Sequence, residues 1–129
     1  MRFIGFIKEH DSIKESKDFQ EYQTDSEDAK SFINQIIGHL DKGVIIFGWM
    51  GYAYDLIDQT PIAPHAYYTD GVLIWPSYLK YYLLKYPTFD LDQLTTRQIL
   101  NQVDESVMIN SDRLSEMEKT LGEKLHSAS

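Results

Sequence analysis

His65, Asp70 and Ser77 lie within a thirteen-residue stretch and could supply the base, the acid and the hydroxyl of a hydrolase triad. The supporting signals are missing. There is no Gly-x-Ser-x-Gly elbow and no glycine-rich oxyanion segment. Ser77 follows Trp75-Pro76, where a serine suits a helix N-cap. Asp55, Asp58 and Asp70 sit among aromatics, and paired carboxylates can hydrolyse glycosides. Asp58 and Asp70 also read as turn residues, beside Thr60-Pro61 and Gly71. Asp55 reads as pointing outward from an alternating strand.

His10, His39, His65 and His126 lack the short regular spacing of metal ligands. His10 adjoins Asp11, but neighbours in a loop need not converge. His39, near a predicted helix end, suits the negative end of the dipole. The chain has no cysteine, which excludes disulfides, thiolate metal sites and cysteine nucleophiles. No phosphate loop or dinucleotide fingerprint appears. The residues therefore nominate no catalytic group, no cofactor and no metal.

What remains is aromatic. Twelve of the seventeen aromatic residues fall between Phe47 and Phe89. The nine tyrosines exceed what one small core needs, and tyrosine beside acids is the composition of binding hot spots. The candidate protein-binding face is Tyr52, Tyr54, Asp55, Asp58, Tyr67, Tyr68, Asp70 and Tyr81. Formal net charge is −8, and no Lys or Arg occurs from Gly43 to Leu79. Nucleic acid and anionic membrane are poor partners for such a surface; a cationic protein is a better one.

These side chains need a scaffold. The 129 residues suit a single domain over 1–129. No leader peptide or membrane span is expected, and a soluble cytoplasmic protein is. Arg2 to Lys8 reads as a strand. Ala29, Phe32, Ile33, Ile36, Ile37 and Leu40 mark a helix running from a Thr24–Glu27 capping box to Gly43. Gly38 inside it suggests close packing. Val44 to Met50 is apolar throughout and reads as a central strand buried on both faces. Gly48 and Gly51 mark a bend or bulge, and a second strand follows from Tyr52. Pro61 to His65 is extended, Thr69-Asp70-Gly71 turns, and Val72 to Trp75 is a strand.

A helix starts near Pro76 and stops at Pro87. Another lies within Asp90 to Val103, with Leu91, Leu94 and Ile99 apolar. The last, Ser111 to Leu125, has a thin stripe that places it at an edge or lets it fray, so the tail 90–129 is expected to pack loosely. The fold class is α+β: an antiparallel meander of about three to five strands packed with about three to four helices.

The segment Tyr67-Tyr68-Thr69-Asp70-Gly71-Val72-Leu73-Ile74-Trp75-Pro76-Ser77-Tyr78-Leu79-Lys80-Tyr81-Tyr82 resembles a signature of small, mostly uncharacterised bacterial proteins. Ile4 to His10 and Gly48 to Tyr52 are similar to that family too. Leu73 departs from the pattern, which has Trp there. Some relatives sit in toxin-associated settings, so the resemblance implies an immunity-type inhibitor. It implies no catalytic residues.

Three functional expectations follow. The first is a non-enzymatic acidic protein that binds a cationic protein or toxin. The second is a small enzyme or carbohydrate-binding module using His65, Asp70 and nearby aromatics. The third is a structural or regulatory protein that homodimerises through its aromatic patch.

Overall fold

The structure is a computed structural model and describes residues 1–26, 30–102 and 109–127. It is an α+β fold, with a four-stranded sheet and four α-helices among the described residues. β1 is Arg2–Phe3, β2 Val44–Tyr54, β3 Pro61–Thr69 and β4 Leu73–Pro76. The order across the sheet is β1-β4-β3-β2. The meander β2-β3-β4 is antiparallel as expected, but β1 runs parallel to β4, so the sheet is mixed.

β1 is shorter than the apolar run predicts because Ile4, Phe6 and Ile7 are all buried. They do not alternate between a wet and a dry face. Ile4 and Ile7 join one core and Phe6 the other, so the chain threads between two apolar layers.

The first core lies under α1 (Ile33–Asp41), α2 (Leu79–Lys85) and α3 (Gln93–Gln102). Ile36 and Leu40 of α1 meet Leu79, Tyr82 and Leu83 of α2 and Ile99 of α3. α1 begins at Ile33, later than the capping-box pattern suggests. The Thr24 hydroxyl instead accepts the Ser26 N–H at 3.2 Å, a local turn that competes with helix. Glu27, Asp28 and Ala29 lie outside the described residues. Gly38 is exposed with no neighbour over it, so the expected close packing is absent. In α3, Leu94 faces solvent and Thr95 is buried instead. The Thr95 hydroxyl accepts from the Arg2 guanidinium at 3.0 Å, which ties α3 to β1.

The second core lies on the other face of the sheet, under α4 (Ser111–Ser127). Met117 and Leu121 are fully buried against Phe6, Tyr67 and Ile74, with Phe47 packed alongside. The thin stripe does place α4 against the edge strand β2, but its inner face is closely packed rather than loose. Leu73 is fully buried, so its departure from the family pattern is a matter of packing.

Candidate functional site: an apolar outer strand above two buried carboxylates

β2 is the outer strand, not the central one its apolar run suggests. Val44, Ile45, Trp49, Met50, Tyr52 and Tyr54 are all exposed. An apolar run reads as central and buried on both faces only where strands flank it and layers cover it; here no described strand lies beyond β2. Gly48 and Gly51 do not split the segment. It is one strand of eleven residues with a wide bulge. Gly48 pairs with Ala66 and Tyr52 with Pro64, so Trp49, Met50 and Gly51 oppose His65 alone. Gly51 has φ +103, a value that side chains resist. The bulge throws Met50 outward to 98% exposure. Ile57, in the loop that follows, is exposed as well.

Beneath this strand lie two aspartates that bind tyrosine hydroxyls. Asp11, buried, accepts from Tyr67 at 2.7 Å and from Tyr78 at 2.9 Å. The Tyr78 hydroxyl in turn accepts the Ile7 N–H at 3.0 Å. Burial and then the Asp11 charge push the Tyr67 and Tyr78 hydroxyls well above the usual phenol range. Trp49 Nε1 donates to the Tyr67 oxygen at 3.4 Å, so the bulge of the outer strand is tied to the core.

Asp55 is the second, at 0% exposure. It accepts from Tyr81 at 2.8 Å, from Tyr86 at 2.6 Å and from Lys85 at 2.9 Å. The Ile57 N–H adds a fourth bond at 2.8 Å. Burial alone would raise the Asp55 pKa. Tyr86, Lys85, Ile57 and Tyr81 outweigh it and hold the carboxyl well below the usual range. Burial and Asp55 push the Tyr86 hydroxyl up to about 12. Lys85 also pairs with Asp58.

His10 packs beside the first group, its ring centroid 4.5 Å from that of Tyr78. Its Nε2 lies 2.7 Å from the Tyr82 hydroxyl, which accepts the Leu56 N–H at 3.1 Å. Burial lowers the His10 pKa, partly opposed by Asp11. A neutral ring taking the Tyr82 proton fits both bonds.

The predicted face is therefore divided. Tyr52, Tyr54 and Asp58 are exposed. Tyr68 and Tyr81 are half-buried and pack on the first core. Tyr67 and Asp55 are interior, which corrects their place on an exposed surface and the outward reading of Asp55. Asp70 is largely covered, and its Oδ2 lies 2.6 Å from His39 Nε2. His39, read as a helix-end charge, thus anchors α1 to the β3–β4 turn. The surplus of tyrosine has an internal cause. Tyr67, Tyr78, Tyr81 and Tyr86 each give a hydroxyl to a buried carboxylate, and Tyr22 gives its own to Phe6 O at 2.8 Å. The residues missed were Trp49, Met50, Ile45 and Ile57 on the outside, and Asp11 within. Asp11 stands between Ile7 and Ile13, both buried, and that spacing was the available signal.

The triad residues do not assemble. Asp70 is engaged by His39. The Ser77 hydroxyl donates to Pro64 O at 2.8 Å and accepts from Ala66 N–H at 3.3 Å, so it fastens β3 rather than capping α2. His65 lies within β3, whereas Asp70 follows the strand's end at Thr69 and sits in the turn to β4. A cleft of about 700 Å³ opens elsewhere, lined by Tyr22, Phe32, Leu91 and Leu100, with Lys17 and Arg97 among its charged residues. Neither His65 nor Asp70 lines it. Among the described residues no three His, Asp or Glu side chains gather as a metal ion would require, and no helix is long and apolar enough to cross a membrane.

Set against known proteins, the chain matches no family model, no curated protein and no solved structure. These comparisons neither support nor oppose the resemblance in residues 67–82.

Proposed function

We propose that this is a non-enzymatic protein-binding domain that docks its partner on the outer strand β2. The observation that carries this reading is the exposed set Ile45, Trp49, Met50, Tyr52 and Tyr54 along an edge that no described strand pairs with. An edge strand offers a line of unpaired N–H and C=O groups, and partners add a strand to it. Proteins blunt such an edge with charge, proline or a bulge; the bulge at Trp49–Gly51 interrupts this one without charging it. Val44 to Tyr54 contains no charged residue. Trp, Tyr and Met are the side chains that interfaces enrich, and Trp49 is held in place by its bond to Tyr67.

The test is a photo-crosslinking amino acid at Met50, with Glu118 on the exposed side of α4 as the control position. Adducts from position 50 and not from 118, formed in cells that make the protein natively, are expected. Equal adducts from both positions, or none from 50, would overturn the reading.

A cationic partner is the second reading, favoured by the net charge of −8. Its weakness is local. Asp55, Asp58 and Asp70, the acids of the predicted face, are each already engaged by Lys85 or His39. Binding that falls steeply with salt would favour it.

A further inference from the structure

We infer that the occupant of the β2 edge is a second copy of this chain, paired antiparallel about a two-fold axis near the bulge. The inference rests on the docking reading above and names its partner.

Three observations select this occupant. The first is the bulge. With Trp49, Met50 and Gly51 set against one residue of β3, the edge is interrupted at its middle. A straight strand can follow only one arm of such an edge, since bulges defeat plain edge pairing. Another copy carries the same interruption. Antiparallel pairing about the bulge sets arm 44–48 of one copy against arm 52–54 of the other, and brings the two Met50 side chains together.

The second observation is neutrality. No charge lies between Val44 and Tyr54, so copies that are each −8 overall meet along a strand with no repulsion of its own. For the same reason a cationic partner finds no carboxylate along the strand.

The third is the polarity of the strand's ends. Lys42 precedes β2, is exposed, and forms no ion pair among the described residues. Asp58 lies in the loop that follows β2 and is exposed; it shares the single cation Lys85 with Asp55, which leaves that end of the strand one negative charge in excess. Antiparallel pairing brings Lys42 of each copy to the 55–60 loop of the other, opposite sign to opposite sign at both ends. Parallel pairing would set like against like. An isologous contact of this kind closes at two copies and does not propagate.

The experiment is sedimentation equilibrium of the purified chain over a wide concentration range, for wild type and for Ile45→Lys, Met50→Lys, Lys42→Glu and Asp58→Lys. Wild type is expected to give a reversible monomer–dimer equilibrium. Ile45→Lys and Met50→Lys, at exposed positions, should weaken it at least tenfold while circular dichroism stays native. Lys42→Glu and Asp58→Lys should each weaken it alone. Mixed in equal amounts they should restore it, because the mixed dimer has an opposite-sign pair at both ends. A dimer untouched by the β2 variants, or a mixture no tighter than its components, would overturn the two-fold model. A chain that stays monomeric while Met50 still crosslinks to a different protein would sink this inference and leave the docking reading intact. A monomer with no adduct from Met50 would remove both.

Discussion

The carboxylate of Asp11 and the hydroxyl of Tyr67 meet at 2.7 Å beneath the outer strand. The same tyrosine oxygen accepts from Trp49, so one bond in the core is one step from the bulge at the surface. The edge proposed to take a partner is thereby tied to the core. That lowers the ordering cost of binding.

Removing the carboxylate should cost more than removing one hydroxyl. Asp11→Ala strands two buried donors, Tyr67 and Tyr78, and should lose about 3 kcal/mol or more. Tyr67→Phe removes one bond to the charged group and should lose about 1.5–3 kcal/mol. Urea unfolding checks both, and equal losses would contradict the shared-acceptor arrangement.

Acid should destabilise the fold in two stages. The folded pKa of His10 is below its ordinary 6.5, so the unfolded chain binds a proton first and stability falls as pH drops below that value. Asp55 and Asp70 are also depressed in the fold, Asp70 because His39 and the Leu73 and Val72 N–H groups outweigh its burial. Their contribution is present above the ordinary carboxyl value of about 4 and is lost as pH falls through the lower folded values. Denaturant midpoints measured across this range should decline in both windows, and Asp55→Asn should make the lower decline shallower.

Alkali should act through the buried tyrosines. Burial first, and Asp11 or Asp55 next, hold the Tyr67, Tyr78 and Tyr86 hydroxyls above their ordinary value. Stability from a raised pKa is complete below the unfolded value of about 10 and is lost as pH rises beyond it. Phenolate absorbance from these buried tyrosines should therefore rise in one late step together with loss of the near-ultraviolet circular dichroism of the fold. An early, non-cooperative titration of all nine tyrosines would contradict the two networks.

Two glycines should respond in opposite senses. A Cβ on Gly43 would run into the Trp75 indole ring, so Gly43→Ala should cost about 1–3 kcal/mol through overpacking. Gly38 lies within α1 with nothing near it, so Gly38→Ala should gain about 0.5–1 kcal/mol. Thermal unfolding of both variants reads the pair directly.

The meander was legible in the chain because its turns carry their own chemistry. Thr69-Asp70-Gly71 closes β3 onto β4, with Asp70 Oδ1 accepting the Val72 N–H at 2.8 Å. The helices α2 and α4 were legible from apolar spacing and Pro87. Sheet order was not. Val44 to Met50 has the same composition whether one strand or two lie beside it, and only the long-range pairing of β1 with β4 leaves β2 outermost. The tyrosines misled for a related reason. Their partners are distant in sequence, Asp11 standing 56 residues from Tyr67, so hydroxyls that serve the interior resembled surface contacts.

The central claim is that β2 is an open edge that closes on association, and amide hydrogen exchange tests it most directly. Dilute protein should exchange the outward N–H groups of Val44 to Tyr54 quickly, while β3 and β4 stay protected. Raising the concentration should protect residues within 44–54 and leave the exposed face of α4 unchanged. A β2 already protected in dilute protein, or one unchanged while protection appears elsewhere, would contradict the account.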